Sequence, residues 1–497
     1  MIKDLYKSFY HDFTQKYGEY LTLFLIIFLG LGLRLYKLGE DSFWYDEVGQ
    51  VLAAIQPRFV DMLLIIRQHA GAMPLDYLVS RVMASINLNE EVMRFPSVVW
   101  GTLSIPAYYA LLCQFEMPNK KQIALLVAFM ISISPVNIQY SQEMRFYAAL
   151  MFFYALSTLF LIKAIETRSI KNWLYYVLIS FLGMYFHPFI LLVTITGLFF
   201  ILRKIPLHGN YNDFFVNNKD TLVSFLVSVI FLVAVFTPGY LFFHARESYS
   251  YDLGLNNSSF LYGLGLKATL LTEGLTPFGL WHYMQIVGTA SGMSLVVIKL
   301  KKYSSILFLW FAVILQISII VFLDLSNGYL FLPRQIIHFT PMTMLLTSVG
   351  FMELLTLLKP PLTKKAFIIL MIGALGYSSI PYINAIYDHS KGSAREIAQK
   401  ITDEYQSGQK ILILTSQYET VLEYYLFRLK KSDKSEPITL AAENIEELEY
   451  LFRETPNIFF IAAAKDATGE TRRKIGKLGF EPFETPKGTD FLYIFSP

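Results

Sequence analysis

The chain has 497 residues, of which 54% are apolar, 16% aromatic and only 16% charged, with a net charge of +3. A soluble domain carries roughly 25% charged residues, so there is too little charge here to coat the domains a soluble chain of this length would form. The composition excludes an ordinary soluble enzyme, a disordered chain and a coiled coil. The small net charge argues against an electrostatic nucleic-acid binder, and what is left is an integral membrane protein with many spans.

A helical span needs about 20 mainly apolar residues. Candidate spans start near Leu21, Phe95, Ile123, Phe146, Trp173, Pro188, Leu222, Met284, Ile306, Ile336 and Phe367. The mostly polar segment before Leu21 has no cleavable signal pattern, so the first run is expected to stay as a span. Basic residues set orientation. The pairs Lys120/Lys121 and Arg203/Lys204 and the clusters Lys163/Arg168/Lys171, Lys299/Lys301/Lys302 and Lys359/Lys364/Lys365 fall on every second loop. Eleven spans would put all of them in the cytoplasm, together with the N-terminus and its Lys3, Lys7 and Lys16. This requires the short stretch Pro74–Ile86, with Asp76 and Arg81, to lie at the interface as an amphipathic helix rather than cross. His187-Pro188 breaks the run from Trp173 to Leu202 and reads as a hairpin between two short spans.

The opposite loops are then extracytoplasmic, the first running from about residue 36 to 94. After about Asp388 the composition turns polar. Helical patterns over Ala394–Tyr405, Ile445–Arg453 and Thr471–Leu478 alternate with strand-like Ile411–Thr415, Ile458–Ala462 and Phe491–Phe495. The expected organisation is a transmembrane all-α domain over 1–388 and a small soluble α/β domain over 389–497, on the outer side. The single cysteine, Cys113, forms no internal disulfide and no zinc spacing.

Chemistry-bearing residues gather on the outer loops. Trp44-Tyr45-Asp46-Glu47 opens the first. Two adjacent carboxylates there suit a general base for an acceptor hydroxyl or a divalent cation site, beside aromatics that suit a sugar platform. A solvated loop charge next to a belt of interfacial aromatics is the competing reading. The second loop holds Tyr140, Gln142, Glu143 and Arg145; here Glu143 equally suits a helix start and Arg145 a snorkelling position. Arg334 stands at the outer end of a span, where its planar fork suits a phosphate, with interfacial anchoring as the alternative. His338, at i+4, is expected one helical turn further in on the same face. His187 reads as structural, and His69 and Arg67 carry only a weak signal. The tail has no Walker loop, no dinucleotide fingerprint and no serine-hydrolase elbow. An outer enzyme without a nucleotide site needs a pre-activated donor, and a lipid-linked sugar phosphate is one.

The ordered set Arg34-Leu35-Tyr36, Trp44-Tyr45-Asp46-Glu47, Met93-Arg94-Phe95-Pro96-Ser97, Ser134-Pro135 through Tyr140-Ser141-Gln142-Glu143-Met144-Arg145-Phe146-Tyr147, and Arg334 resembles the C-type (GT-C) polytopic membrane glycosyltransferases. The nearest are family 39-like members, relatives of protein O-mannosyltransferases and of the lipid A aminoarabinose transferase. The likeness runs through about the first 390 residues. It implies a GT-C fold with two interfacial helices in the first outer loop, a polyprenyl-phosphate sugar donor and inversion at the anomeric carbon. The family's loop carboxylate falls on Asp46, its second-loop acid most nearly on Glu143 and its phosphate-binding arginine on Arg334. One departure is His69-Ala-Gly-Ala-Met73-Pro74-Leu75, which has one proline where many relatives have two and a displaced histidine.

The expectation is an inverting glycosyltransferase of the cell membrane acting on an extracytoplasmic lipid, glycan or protein. Asp46, Glu47 and Glu143 are the candidate catalytic acids, Arg334 and Arg145 the phosphate ligands, and Trp44, Tyr45, Tyr140, Gln142 and His338 the substrate contacts. Its partners are the lipid-linked donor, membrane lipids and the acceptor, with no nucleic acid. No cofactor is required by the sequence; a divalent cation at Asp46 and Glu47 is left open. The alternatives are a transporter or flippase of lipid-linked saccharides, disfavoured by the absence of two similar halves, and a surface-glycan polymerase or ligase.

Overall fold

The computed structural model describes residues 2–68, 73–205, 211–244, 279–327, 333–388, 394–404, 410–414, 419–429, 438–442, 445–454, 458–464, 473, 477, 481–482 and 492–496. It divides into two compact units. One comprises residues 1–36, 58–79 and 95–383; the other comprises 37–57, 80–94 and 384–497.

The first unit is helical. Six of the described helices are long and apolar enough to cross a membrane: Tyr17–Leu35, Tyr147–Thr167, Asp213–Phe243, Leu300–Leu323, Arg334–Leu357 and Pro361–Asp388. A seventh is added if the bent pair Lys120–Ile133 and Pro135–Ser141 counts as one span. Leu226, Val227, Ile230 and Phe231 stand exposed on one of these helices. Such a continuous apolar surface is untenable in water and natural against lipid. The protein is polytopic. Each of the eleven apolar runs lies in or at the start of a helical segment, but several are too short to span. Ile170–Met184 has 15 residues, and Pro188 opens a five-residue 3-10 turn before the ten-residue helix Val193–Leu202. Pro74–Ala84 is a separate helix, as is Phe59–Gln68.

The breaks are made by prolines and closed by side chains. In a continuous helix the carbonyl of Ile131 would accept from the N–H of residue 135, but that residue is proline and has none. The chain turns there by 59°. Arg34, fully buried in the last turn of the first helix, supplies the missing donors. Its Nη2 donates to Ile131 O at 3.1 Å, its Nη1 to Ser132 O at 3.2 Å and to Gly30 O at 2.9 Å, and its Nε to Ser141 Oγ at 3.1 Å. Pro341 repeats the problem for Ile337, whose carbonyl accepts the Thr340 hydroxyl at 2.9 Å. At the third break, His187 Nδ1 accepts from Phe189 N at 3.3 Å, and the ring stacks on Phe146.

Two helices approach unusually closely. Gly288 and Gly292, four apart on Leu280–Ile298, face Thr340–Leu357. A Cβ on Gly292 would overlap the Leu346 carbonyl, and one on Gly288 would meet Thr347 Cγ2 at 2.5 Å. This is small-residue packing of the kind that joins membrane helices where no hydrophobic drive exists between them.

The second unit carries the helices Tyr45–Ala54, Ala394–Glu404, Glu419–Arg428 and Ile445–Glu454. Ala394, Ile397, Ala398 and Ile401, spaced as one helical face, are buried, as are Val421, Leu422 and Tyr425. Its five described strands form one sheet in the order β2-β1-β3-β5-β4: β1 Lys410–Leu414, β2 Ile438–Ala442, β3 Ile458–Ala464, β4 Glu481–Pro482 and β5 Leu492–Ser496. β2, β1 and β3 run parallel, linked by helical crossovers, while β5 is antiparallel to β3 and β4. Neither the Glu419–Arg428 helix nor β2 was expected from the sequence, and the helix expected over Thr471–Leu478 falls, except at Arg473 and Lys477, outside the described residues.

Arg34→Met leaves the Ile131 and Ser132 carbonyls without donors at a cost of about 1–3 kcal/mol each, and thermal unfolding in detergent reads this as a lowered midpoint. Gly292→Val forces the helix pair apart, with an expected loss of about 1–3 kcal/mol by the same measurement.

Candidate functional site

The candidate residues fall in two sets, one in each unit. In the first unit, Ser141 ends the bent helix, and Gln142–Phe146 leads non-helically into Tyr147–Thr167. Gln142 is buried and caps the first helix, its Nε2 donating to Arg34 O at 3.1 Å and Tyr36 O at 2.7 Å. Glu143 is buried. The guanidinium of Arg145 lies 5.5 Å from the centre of the Phe146 ring, and its carbonyl accepts from Ser97 Oγ at 3.4 Å. Arg334 sits in the 3-10 turn Pro333–Phe339, with its guanidinium 5.5 Å from the centre of the Tyr147 ring. The Tyr147 and Tyr140 rings are 5.0 Å apart. Tyr140 lies within electrostatic reach of both Glu143 and Arg334. Two tyrosines and an acid from one short stretch, residues 140–147, thus come together with a guanidinium from far along the chain. Arg334 over the Tyr147 ring is a cation–π pair, and a guanidinium so placed carries the charge and donor geometry that suit a phosphate.

His338 is not on the Arg334 face. The segment is a 3-10 turn with about three residues per turn, so i and i+4 point roughly 120° apart. The His338 ring is fully buried, 4.6 Å from the Tyr154 ring and 4.0 Å from that of Phe339, and its carbonyl accepts from Tyr108 Oη at 2.7 Å. The i+4 expectation assumed a regular α-helix, whereas Pro333–Phe339 is a 3-10 turn. His69 lies outside the described residues.

In the second unit, Trp44 is the N-cap of Tyr45–Ala54, so Asp46 and Glu47 stand in the first turn, where the helix dipole favours negative charge. Their environments differ sharply. Asp46 and Tyr45 are partly exposed. Glu47 is fully buried, and Oε1 accepts from Arg94 Nε at 2.9 Å while Oε2 accepts from Arg94 Nη2 at 2.7 Å and from the Trp44 N–H at 3.2 Å. Burial opposes the Arg94 charge, but Glu47 outweighs it and holds the guanidinium's pKa above its ordinary value. This two-pronged pairing occupies both Glu47 oxygens, so the Asp46–Glu47 pair is a poor fit to a divalent cation. Among the described residues no group of three or more His, Cys, Asp or Glu is placed to hold a metal.

Sequence reading singled out Arg94 only as part of a motif and missed Glu90. Glu90 is buried and accepts from Tyr425 Oη at 2.6 Å and from Arg428 Nη1 at 3.2 Å, and pairs with Arg395 Nη1 at 3.2 Å. A carboxylate in the first turn of a helix was the visible signal, but its partners lie more than 300 residues away.

Comparison with known proteins agrees with the class the motifs imply. A family model described as dolichyl-phosphate-mannose-protein mannosyltransferase matches residues 71–237. Among solved structures, the fold is similar to ArnT from Cupriavidus metallidurans bound to undecaprenyl phosphate: TM-score 0.56 at 10% identity, covering 95% of this chain and 97% of that one. It is similar also to the archaeal oligosaccharyltransferase AglB from Archaeoglobus fulgidus, in complex with an inhibitory peptide and a dolichol-phosphate: TM-score 0.55 at 13% identity, covering 97% of this chain and 74% of that one. A search of curated protein sequences finds no match. The chain is thus similar to the C-type polytopic glycosyltransferases.

Removing one member of a buried ion pair strands the other. Arg94→Met is expected to lower stability by about 3–5 kcal/mol, and Glu47→Gln with Arg94→Met together by less than the sum of the two. A double-mutant cycle in detergent measures the coupling.

Proposed function

We propose that the protein is an inverting glycosyltransferase that moves a sugar from a polyprenyl-phosphate donor to an extracytoplasmic acceptor. The observation that carries this is the gathering of Arg334, Tyr147, Tyr140 and Glu143 in one unit of a polytopic fold. The match to a family of lipid-phosphate-sugar transferases over residues 71–237 supports it. So do the similar folds solved with dolichol-phosphate and undecaprenyl phosphate.

Arg334 binds the donor phosphate and offsets the charge that grows on it as the glycosidic bond breaks. Asp46, partly exposed at a helix N-terminus, takes the proton of the acceptor hydroxyl. The acceptor oxygen bonds to the anomeric carbon from the opposite face, and the electron pair of the carbon–oxygen bond leaves with the phosphate. Glu143 and Tyr140 are the candidate donor contacts, Trp44 and Tyr45 the candidate acceptor contacts, and Glu47 fixes its own loop through Arg94. The outer loops face the cell exterior, with the N-terminus in the cytoplasm and the C-terminal α/β portion outside the cell membrane. An eleven-crossing topology would need each short helix to cross together with the chain next to it, as Pro188–Leu192 and Val193–Leu202 would do jointly.

The test uses purified protein with radiolabelled polyprenyl-phosphate sugars, with and without EDTA. Asp46→Asn is expected to lower turnover about 100- to 10,000-fold at unchanged expression, and Arg334→Ala about 100- to 1,000-fold. EDTA is expected to have no effect. Unchanged turnover in Asp46→Asn sinks the assigned base. Movement of the intact donor across liposomes without acceptor, at a rate indifferent to both substitutions, would make the protein a transporter.

A further inference from the structure

The loop ahead of Asp46 is held in an unusual way. Its five consecutive carbonyls, from Leu38 to Ser42, are all taken by two arginines. Arg94 Nη1 donates to Leu38 O at 3.1 Å and Asp41 O at 2.9 Å, and its Nη2 to Ser42 O at 2.9 Å. Arg395 donates from Nη1 to Gly39 O at 3.1 Å and from Nη2 to Glu40 O at 2.7 Å, and its own backbone N–H donates to Ser42 Oγ at 3.0 Å. The next group along, the Phe43 N–H, donates to Tyr425 Oη at 2.6 Å. Tyr425 in turn donates to Glu90, and its ring stacks on Phe43 at 6.4 Å and 23°. Burial first, and Glu90 beside it, push the Tyr425 hydroxyl well above its ordinary pKa, so it keeps the proton it donates.

We infer that Arg395 and Tyr425, from the C-terminal segment, are positioning residues for Asp46: they lock residues 39–43 and so fix where the helix carrying Asp46 begins. This inference rests on the reading of Asp46 as the base. The fixing has the right economy for such a role. Arg94 already ties the same loop to Glu47, and the two added arginine bonds and the tyrosine bond remove the freedom that a single anchor leaves. A misplacement of about 1 Å at a reacting group costs on the order of 100-fold in rate, so a brace of this kind acts on kcat before it acts on donor binding.

The experiment uses the full chain in lipid nanodiscs and the polyprenyl-phosphate sugar that wild type consumes. Arg395→Ala and Tyr425→Phe are expected to lower kcat about 10- to 100-fold with the donor KM within about twofold. Amide hydrogen exchange over residues 37–47 rises in both, while exchange over 147–167 does not. Arg395→Lys, which keeps the charge but not the fork, recovers exchange protection only in part, and Phe427→Ala, exposed on the same helix as Tyr425, behaves as wild type. If Arg395→Ala does not fold, Tyr425→Phe, which removes a single oxygen, carries the test. Exchange unchanged over 37–47 overturns the inference. Raised exchange with kcat within about twofold of wild type overturns it too, provided Asp46→Asn is inactive. If Asp46→Asn is active, the base assignment fails, and the exchange data alone decide whether the brace exists.

Discussion

A backbone carbonyl that loses its helical partner inside an apolar interior has no water to turn to, and each such group costs several kcal/mol. This constraint shapes the protein wherever proline interrupts a helix. Arg34 answers it at Pro135, and Thr340 answers it at Pro341. The breaks are what allow polar chain at these points. Gln142 to Phe146 follows the first, and the turn bearing Arg334 precedes the second. The same device reappears in the second unit, where Arg94 and Arg395 supply donors to a loop with no strand to pair with. The candidate residues Gln142, Glu143, Arg145 and Arg334 sit beside repaired breaks, where the chain leaves its ladder with the freed carbonyls still paired.

Much of this was visible in the sequence. Apolar runs are long and composition-driven, so the longer helices of the first unit could be located, though not Phe59–Gln68 or the separate Pro135–Ser141, and the acids and arginines of the outer loops stood out against them. The number of crossings was less legible, since an apolar run does not say whether proline will split it into pieces too short to span. The face occupied by His338 was misjudged for a related reason: periodicity presumes an α-helix, and the turn before Pro341 is tighter. In the tail, the face Ala394, Ile397, Ala398, Ile401 announced its helix through spacing, whereas Glu419–Arg428 has apolar and polar residues too mixed to do so.

Pairings were the least legible. Asp46 and Glu47 are neighbours with the same chemistry, and nothing local separates them. The structure does, by burying Glu47 against an arginine 47 residues away and leaving Asp46 partly exposed. Charge that looks catalytic in a string of letters can be an anchor in space.

Arg395 follows Gly39 by 356 residues. A ribosome building this chain therefore releases the loop and its neighbour Arg94 long before the second guanidinium exists. Until then the carbonyls of residues 39 and 40 lack the donors they have in the folded protein, and the loop before Asp46 closes only after a segment 356 residues downstream of Gly39 has emerged. A product terminated before Arg395 therefore contains the described long apolar helices but not the donors that close this loop.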